Sequence, residues 1–118
     1  VAVEKDDTSA LEANVKAFGV DVQVVQGRAP QALAGLPAPD AVFVGGGGVD
    51  VVRAAVQHRP SRLVVALATL ERVAPVVEAM GDYAPEAVLL ESSRLQPLGS
   101  GHRLVPTNPV FVVSGALT

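Results

Sequence analysis

Pro39-Asp40-Ala41-Val42-Phe43-Val44-Gly45-Gly46-Gly47-Gly48 is where the architecture of this chain reads most directly. A short apolar run that opens on an acid and empties into glycines predicts a buried parallel strand. Its carboxyl end meets a loop almost without side chains. In open α/β sheets ligands bind outside the carboxyl ends of the strands, and glycines there let the backbone lie close against something flat or bulky. Four glycines in a row lose about 1 kcal/mol each in backbone entropy when they enter regular structure. The run therefore reads as the floor of a binding crevice, with a plain flexible loop as the alternative. It holds no lysine, so it is not a phosphate-binding P-loop.

Strand and helix signals alternate on both sides of this stretch. Residues 1–4 read as a strand. Ser9 and Glu12 have the spacing of a capping box, with Asp7 and Thr8 as other caps, and Leu11, Val15 and Phe18 share a helical face before Gly19 stops it. Residues 20–26 read as a second, β-branched strand. Pro30 is placed to start a short helix through Leu33 that ends near Gly35. Beyond the glycines, Val51, Val52, Ala55 and Val56 mark the apolar face of a helix ending near His58 and Pro60. Residues 62–68 form the fourth strand, Thr69 is a cap for the next helix, and Pro75 must kink that helix or delay its start.

This β-α-β-α-β-α-β-α order predicts a parallel sheet with helices on both faces. After Gly81 the rhythm changes. Residues 87–95 and 110–114 read as the strands of a long antiparallel hairpin, with residues 97–108 as the loop at its tip. The expected architecture is one α/β domain over residues 1–118, a Rossmann-like sheet closed by a C-terminal antiparallel β-hairpin. The chain has no initiator methionine and begins inside strand-like residues, so the opening strand of that sheet is expected to be missing.

Composition narrows the function classes. Three Phe, one Tyr and no Trp suit an aliphatic α/β core better than an aromatic nucleic-acid platform, and a net charge of −3 gives no electrostatic attraction to DNA or RNA. The absence of cysteine excludes disulfides, thiolate metal sites and a cysteine nucleophile. The first residues turn acidic too early for a signal peptide, and no apolar run reaches the ~18 residues of a membrane span. A cytoplasmic protein without membrane or nucleic-acid partners is expected.

Several residues are placed for chemistry. Glu4 ends the first strand, where a carboxylate offers two acceptors to vicinal ribose hydroxyls, or is simply a solvated strand end. Lys5, Asp6 and Asp7 read as a solvated turn beside it. Gly27-Arg28-Ala29-Pro30 leaves the second strand where nucleoside sites of this architecture border the adenine through a backbone N–H and small side chains. Arg28 stands there as a ring-stacking group, a carboxylate clamp or an exposed loop arginine. His102 and Arg103 are candidates to face an anionic ligand, while His58 sits at a helix end. The two histidines are too far apart, without flanking acids, to form a metal site. No Gly-x-Ser-x-Gly elbow exists and Ser92-Ser93 lies mid-strand, which argues against a serine hydrolase.

Val1-Ala2-Val3-Glu4-Lys5-Asp6, Gly27-Arg28-Ala29-Pro30-Gln31-Ala32-Leu33, the Pro39–Gly47 stretch and Thr69-Leu70-Glu71 together resemble one family. The ending does too, with Pro97-Leu98-Gly99-Ser100-Gly101 and Arg103-Leu104-Val105-Pro106-Thr107-Asn108-Pro109-Val110. The chain resembles, over almost its whole length, the C-terminal, C15-methylating domain of the decarboxylating precorrin methyltransferases of cobalamin biosynthesis. The resemblance implies a class I S-adenosylmethionine-dependent methyltransferase fold. It also implies methyl transfer from S-adenosylmethionine to C15 of a corrinoid precursor, with loss of the carboxyl of the C12 acetate arm.

By position, the resemblance implies a cofactor set of Glu4, Lys5, Gly27, Arg28, Ala29 and Gly45, with Glu4 on the ribose and residues 27–29 at the adenine. It implies that Gly46, Gly47, Gly48 and Arg103 meet the tetrapyrrole, whose acetate and propionate arms call for cations such as Arg103 and Arg28. It singles out no catalytic side chain, since methyl transfer is largely positioning of a sulfonium against a carbon nucleophile. Members commonly form tetramers, so a homo-oligomer is expected.

Two departures stand out. The first strand and its glycine-rich loop, due about 20 residues before Glu4, are absent, and Ala66 stands where members often carry asparagine. Two other readings remain beside this one: an NAD-dependent Rossmann oxidoreductase, and an inactive methyltransferase-like module that only binds a partner.

Overall fold

Strands and helices alternate from the amino terminus in the computed structural model, which describes residues 1–118. They fall into two compact units, residues 1–38 and 39–118.

In the first unit, β1 (Ala2–Glu4) pairs in parallel with β2 (Val24–Gln26), Ala2 opposite Val24 and Glu4 opposite Gln26. Between them runs α1 (Ser9–Phe18), which Gly19 ends with φ +62°, its amide bonding the Lys16 carbonyl at 3.2 Å. The expected capping box does not form. Thr8 occupies the N-cap without a side-chain bond, and Ser9 instead gives its amide (3.0 Å) and hydroxyl (2.6 Å) to the Asp7 carboxylate. These two donors hold the Asp7 carboxyl below the usual carboxylate range. Leu11 and Val15 are half-buried as their spacing requires, but Phe18, in the last turn, is exposed. The second strand is shorter than its β-branched run, because only three residues of it find partners on β1. The expected helix after Pro30 is a 3-10 turn over Gln31–Leu33.

The second unit carries a four-stranded sheet in the order β3-β4-β8-β5. Here β3 is Ala41–Val44, β4 is Arg62–Leu67, β5 is Glu86–Leu90 and β8 is Val110–Ala116. β3 and β4 are parallel, and β8 runs antiparallel to both β4 and β5. Leu63, Val65 and Leu67 alternate inward along β4, with Val113 opposite Val65. Val52 and Ala55 of α2 (Val49–Gln57), Val76 of α3 (Val73–Ala79), Met80 and Tyr83 complete one core cluster with them. Within this unit both helices therefore lie on a single face of the sheet.

The stretch around Asp40 differs from its reading as a buried strand. β3 is an edge strand paired only with β4, so Val44 is buried while Phe43 on the other face is 68% exposed. Pro75 behaves as one of its two expected outcomes: a 3-10 turn over Leu70–Arg72 delays α3 until Val73. Proline then stands in the first helical turn, where its missing N–H would have had no partner. Thr69 precedes the turn in extended conformation without a side-chain cap.

The C-terminal hairpin forms, but its tip is not a loop. β5 stops at Leu90, and residues 93–106 make a second antiparallel ribbon, β6 (Ser93–Leu98) with β7 (Gly101–Pro106). Gly99 (φ +58°) and Ser100 turn the ribbon. Ser92, expected mid-strand, lies at its base and closes it: Ser92 and Thr107 share a hydroxyl–hydroxyl bond of 2.6 Å, and the Thr107 amide donates to the Ser92 carbonyl at 2.9 Å. No ribbon residue is fully buried. No helix of the chain is long and apolar enough to cross a membrane.

Candidate functional site

The carboxyl ends of β3 and β4 lie side by side, Val44 opposite Val65. The chain leaves β3 through Gly45–Gly48 and leaves β4 through Ala68 and Thr69. Gly45, Ala66, Leu67, Ala68 and Val110 line an apolar recess of about 210 Å³. Whole small-molecule sites usually reach roughly 300 Å³ or more, so the recess is smaller than a whole site.

The four glycines differ in what holds them glycine. Gly47 has φ +89°, and a Cβ there would sit 2.8 Å from Val51 Cγ2, so its backbone requires glycine. At Gly45 a Cβ would stand 2.9 Å from the exposed ring of Phe43. Gly46 and Gly48 have nothing within 4 Å of that position. Nothing in the packing of these two prevents a side chain, and they leave bare backbone open to a ligand.

One partner of this loop escapes a reading of the sequence. Arg72 Nη1 donates to the Gly47 carbonyl at 2.9 Å, across 25 positions of chain. The motif Thr69-Leu70-Glu71 stops one residue short of it, and only the tertiary return of the 3-10 turn brings the guanidinium to the glycines.

The first unit assembles a second group. At the carboxyl ends of β1 and β2 the Gly27 amide donates to the Glu4 carbonyl at 2.9 Å, placing these two residues together. The exposed Glu4 carboxylate accepts the Asp6 amide on Oε1 at 3.1 Å. Gln26 Nε2 bonds the Asp6 carbonyl at 3.1 Å and fixes that turn. A Cβ on Gly27 would stand 2.8 Å from Ala32 Cβ, so glycine there lets the 3-10 turn fold back. Arg28 is exposed, its carbonyl accepting the Ala32 amide at 2.9 Å, and Ala29 is half-buried. Lys5 reaches only Asp6, at 4.0 Å and largely in solvent, as a solvated turn would. Arg103 stands elsewhere, on β7 opposite Gln96, in the ribbon and not in the sheet that carries the glycines.

Comparison with known proteins gives a consistent picture. The family profile described as the precorrin methyltransferase domain matches residues 1–115. The precorrin-6Y C(5,15)-methyltransferase [decarboxylating] of Sinorhizobium sp. is 35% identical over 115 residues, covering 93% of this chain and 28% of that enzyme. A crystal structure of precorrin-6Y C5,15-methyltransferase from Geobacter metallireducens superposes with a TM-score of 0.84 at 26% identity, over 98% of this chain and 66% of that one. Precorrin 8w decarboxylase of Methanobacterium thermoautotrophicum superposes with a TM-score of 0.87 at 25% identity, over 98% and 68%. The chain thus spans between about a quarter and two thirds of the length of these relatives. The fold is that of the class I methyltransferases, Rossmann-like with an antiparallel C-terminal hairpin.

Proposed function

This chain belongs to the precorrin methyltransferase domain family, and on that premise we propose that residues 1–118 act as one cytoplasmic domain that methylates C15 of a precorrin in cobalamin biosynthesis, with decarboxylation of the C12 acetate arm. The observation that carries the reading is the glycine loop: at Gly46 and Gly48 it offers open backbone at the carboxyl ends of two parallel strands, as a flat macrocycle requires.

The first unit's residues fit S-adenosylmethionine. Glu4 has one carboxylate oxygen on the Asp6 amide, which leaves the other to accept from a ribose hydroxyl. The amides of Arg28 and Ala29 donate to no backbone acceptor and are available to the acceptor nitrogens of an adenine. When bound, S-adenosylmethionine supplies the transferable methyl group. We assign Gly45 to the cofactor, Gly46, Gly47 and Gly48 to the tetrapyrrole, and Arg103 to its carboxylates.

We further infer a homo-oligomer, a tetramer, whose copies the ribbon joins in pairs. Leu95 faces Leu104 across it, and Pro97, Pro106, Ser93 and His102 extend the same face, while Arg94, Val105, Gln96, Arg103 and Leu98 occupy the other. Leu95 and Leu104 are each about two-thirds exposed. An isolated two-stranded ribbon is marginal in water, and a face centred on the Leu95–Leu104 pair suits a second copy.

Calorimetric titration of S-adenosylmethionine into the purified protein tests the function first. Binding near micromolar, about −8 kcal/mol, followed by methylation of a precorrin supports it. Absence of heat from a folded sample overturns it.

A further inference from the structure

We propose that Arg72 is a substrate-binding residue, seated on the glycine loop to hold a carboxylate of the substrate. This rests on the methyltransferase reading above and adds a residue to that site. The Gly47 carbonyl takes one N–H of the Arg72 guanidinium at 2.9 Å. The side chain is exposed, and the ion pairs of the chain are Lys5 with Asp6 and Arg53 with Asp50, so no acid neutralises Arg72. A guanidinium has five donors in a rigid fork matched to a carboxylate, and most of them stay uncommitted here.

The recess beside the loop supplies no other group for this work. Gly45, Ala66, Leu67, Ala68 and Val110 give the recess no polar side chain. Gly46 and Gly48 leave open space beside the braced carbonyl. An arginine loose in solvent would lose rotamer freedom on meeting an anion, and the bond to Gly47 has already restricted it. A tetrapyrrole lying on the loop would bring its peripheral carboxylates, the chemistry this fork recognises.

The test uses uroporphyrin, a polycarboxylate tetrapyrrole followed by its own fluorescence, titrated into the wild type, Arg72→Met and Arg72→Lys, with S-adenosylmethionine affinity measured on each. Arg72→Met is expected to bind uroporphyrin at least about tenfold more weakly. Arg72→Lys, which keeps the charge and loses the fork, is expected to recover part of that loss. S-adenosylmethionine affinity should stay within about twofold across the three. Equal uroporphyrin affinity in Arg72→Met and wild type overturns the proposal, as does wild type that binds no uroporphyrin. A parallel fall in both affinities also overturns it, since that is loop collapse. Wild type that discriminates in this way yet binds no S-adenosylmethionine refutes the methyltransferase reading and leaves the carboxylate role of Arg72 standing.

Discussion

Glu4 faces solvent with one oxygen free because the other is held by the Asp6 amide and its carbonyl by the Gly27 amide. The side chain is thus aimed before any ligand arrives. Glu4→Ala should weaken S-adenosylmethionine binding roughly tenfold to a hundredfold, the range of a charge-assisted hydrogen bond. Calorimetry reads this, and an unchanged affinity removes Glu4 from the site. Gly46→Val should act in the opposite sense, because nothing in the protein meets a Cβ there. Folding and cofactor affinity should hold while precorrin turnover falls, measured as kcat/KM.

Tyr83 poses a different residue-level question. It is 1% exposed, and its hydroxyl has no hydrogen-bond partner. Burial pushes its phenol up in pKa, the Arg59 charge opposes this, and Asp82 adds to it. A folded-state pKa above the unfolded one means that the stability tied to the neutral phenol is complete below the unfolded value. It is lost as pH rises through the folded one. Tyr83→Phe should therefore stabilise the protein by up to about 1 kcal/mol at neutral pH and flatten the alkaline limb of its stability curve. Urea melts at several pH values check both.

At the scale of elements, the continuous aliphatic run after Arg62 made β4 readable, as the Val52/Ala55 spacing did for α2. The ribbon was hidden by its breakers. Pro97, Gly99, Gly101 and Pro106 read as loop, yet proline is tolerated where a strand has a free edge, and both ribbon strands have one. The two-residue Gly99-Ser100 turn between Leu95 and Leu104 was the available signal. Arg72 was hidden for another reason: nothing local in Leu70-Glu71-Arg72 says which loop the side chain will reach.

Two variants test these elements. Leu104→Glu should reduce the oligomer to a smaller species in light scattering without changing S-adenosylmethionine affinity, and a monomeric wild type overturns the ribbon interface. On β8, a Cβ at Gly115 would collide with the Tyr83 carbonyl oxygen and stand 2.9 Å from Tyr83 Cβ. Gly115→Ala should cost about 1–3 kcal/mol, read from the urea midpoint.

At the scale of the whole molecule, every fully buried side chain lies in residues 39–118. The α/β alternation announced the architecture, but no periodicity in residues 1–38 distinguishes half-buried from buried, so the uneven core was not legible. Three pairs of residues join β1 to β2, against six between β4 and β8. Fewer buried contacts mean cheaper local opening. Amides of β1 and β2 should exchange with deuterium at least about tenfold faster than those of β4 and β8.

That uneven core also decides what natural variation can reveal. Residues 1–38 hold no fully buried side chain, so interior packing constrains fewer of their positions. In a saturation-mutagenesis map scored on methyl transfer, intolerance at the exposed Glu4 side chain would then record what the ligand demands. Intolerance at Leu63 or Val113 would record only what the interior demands.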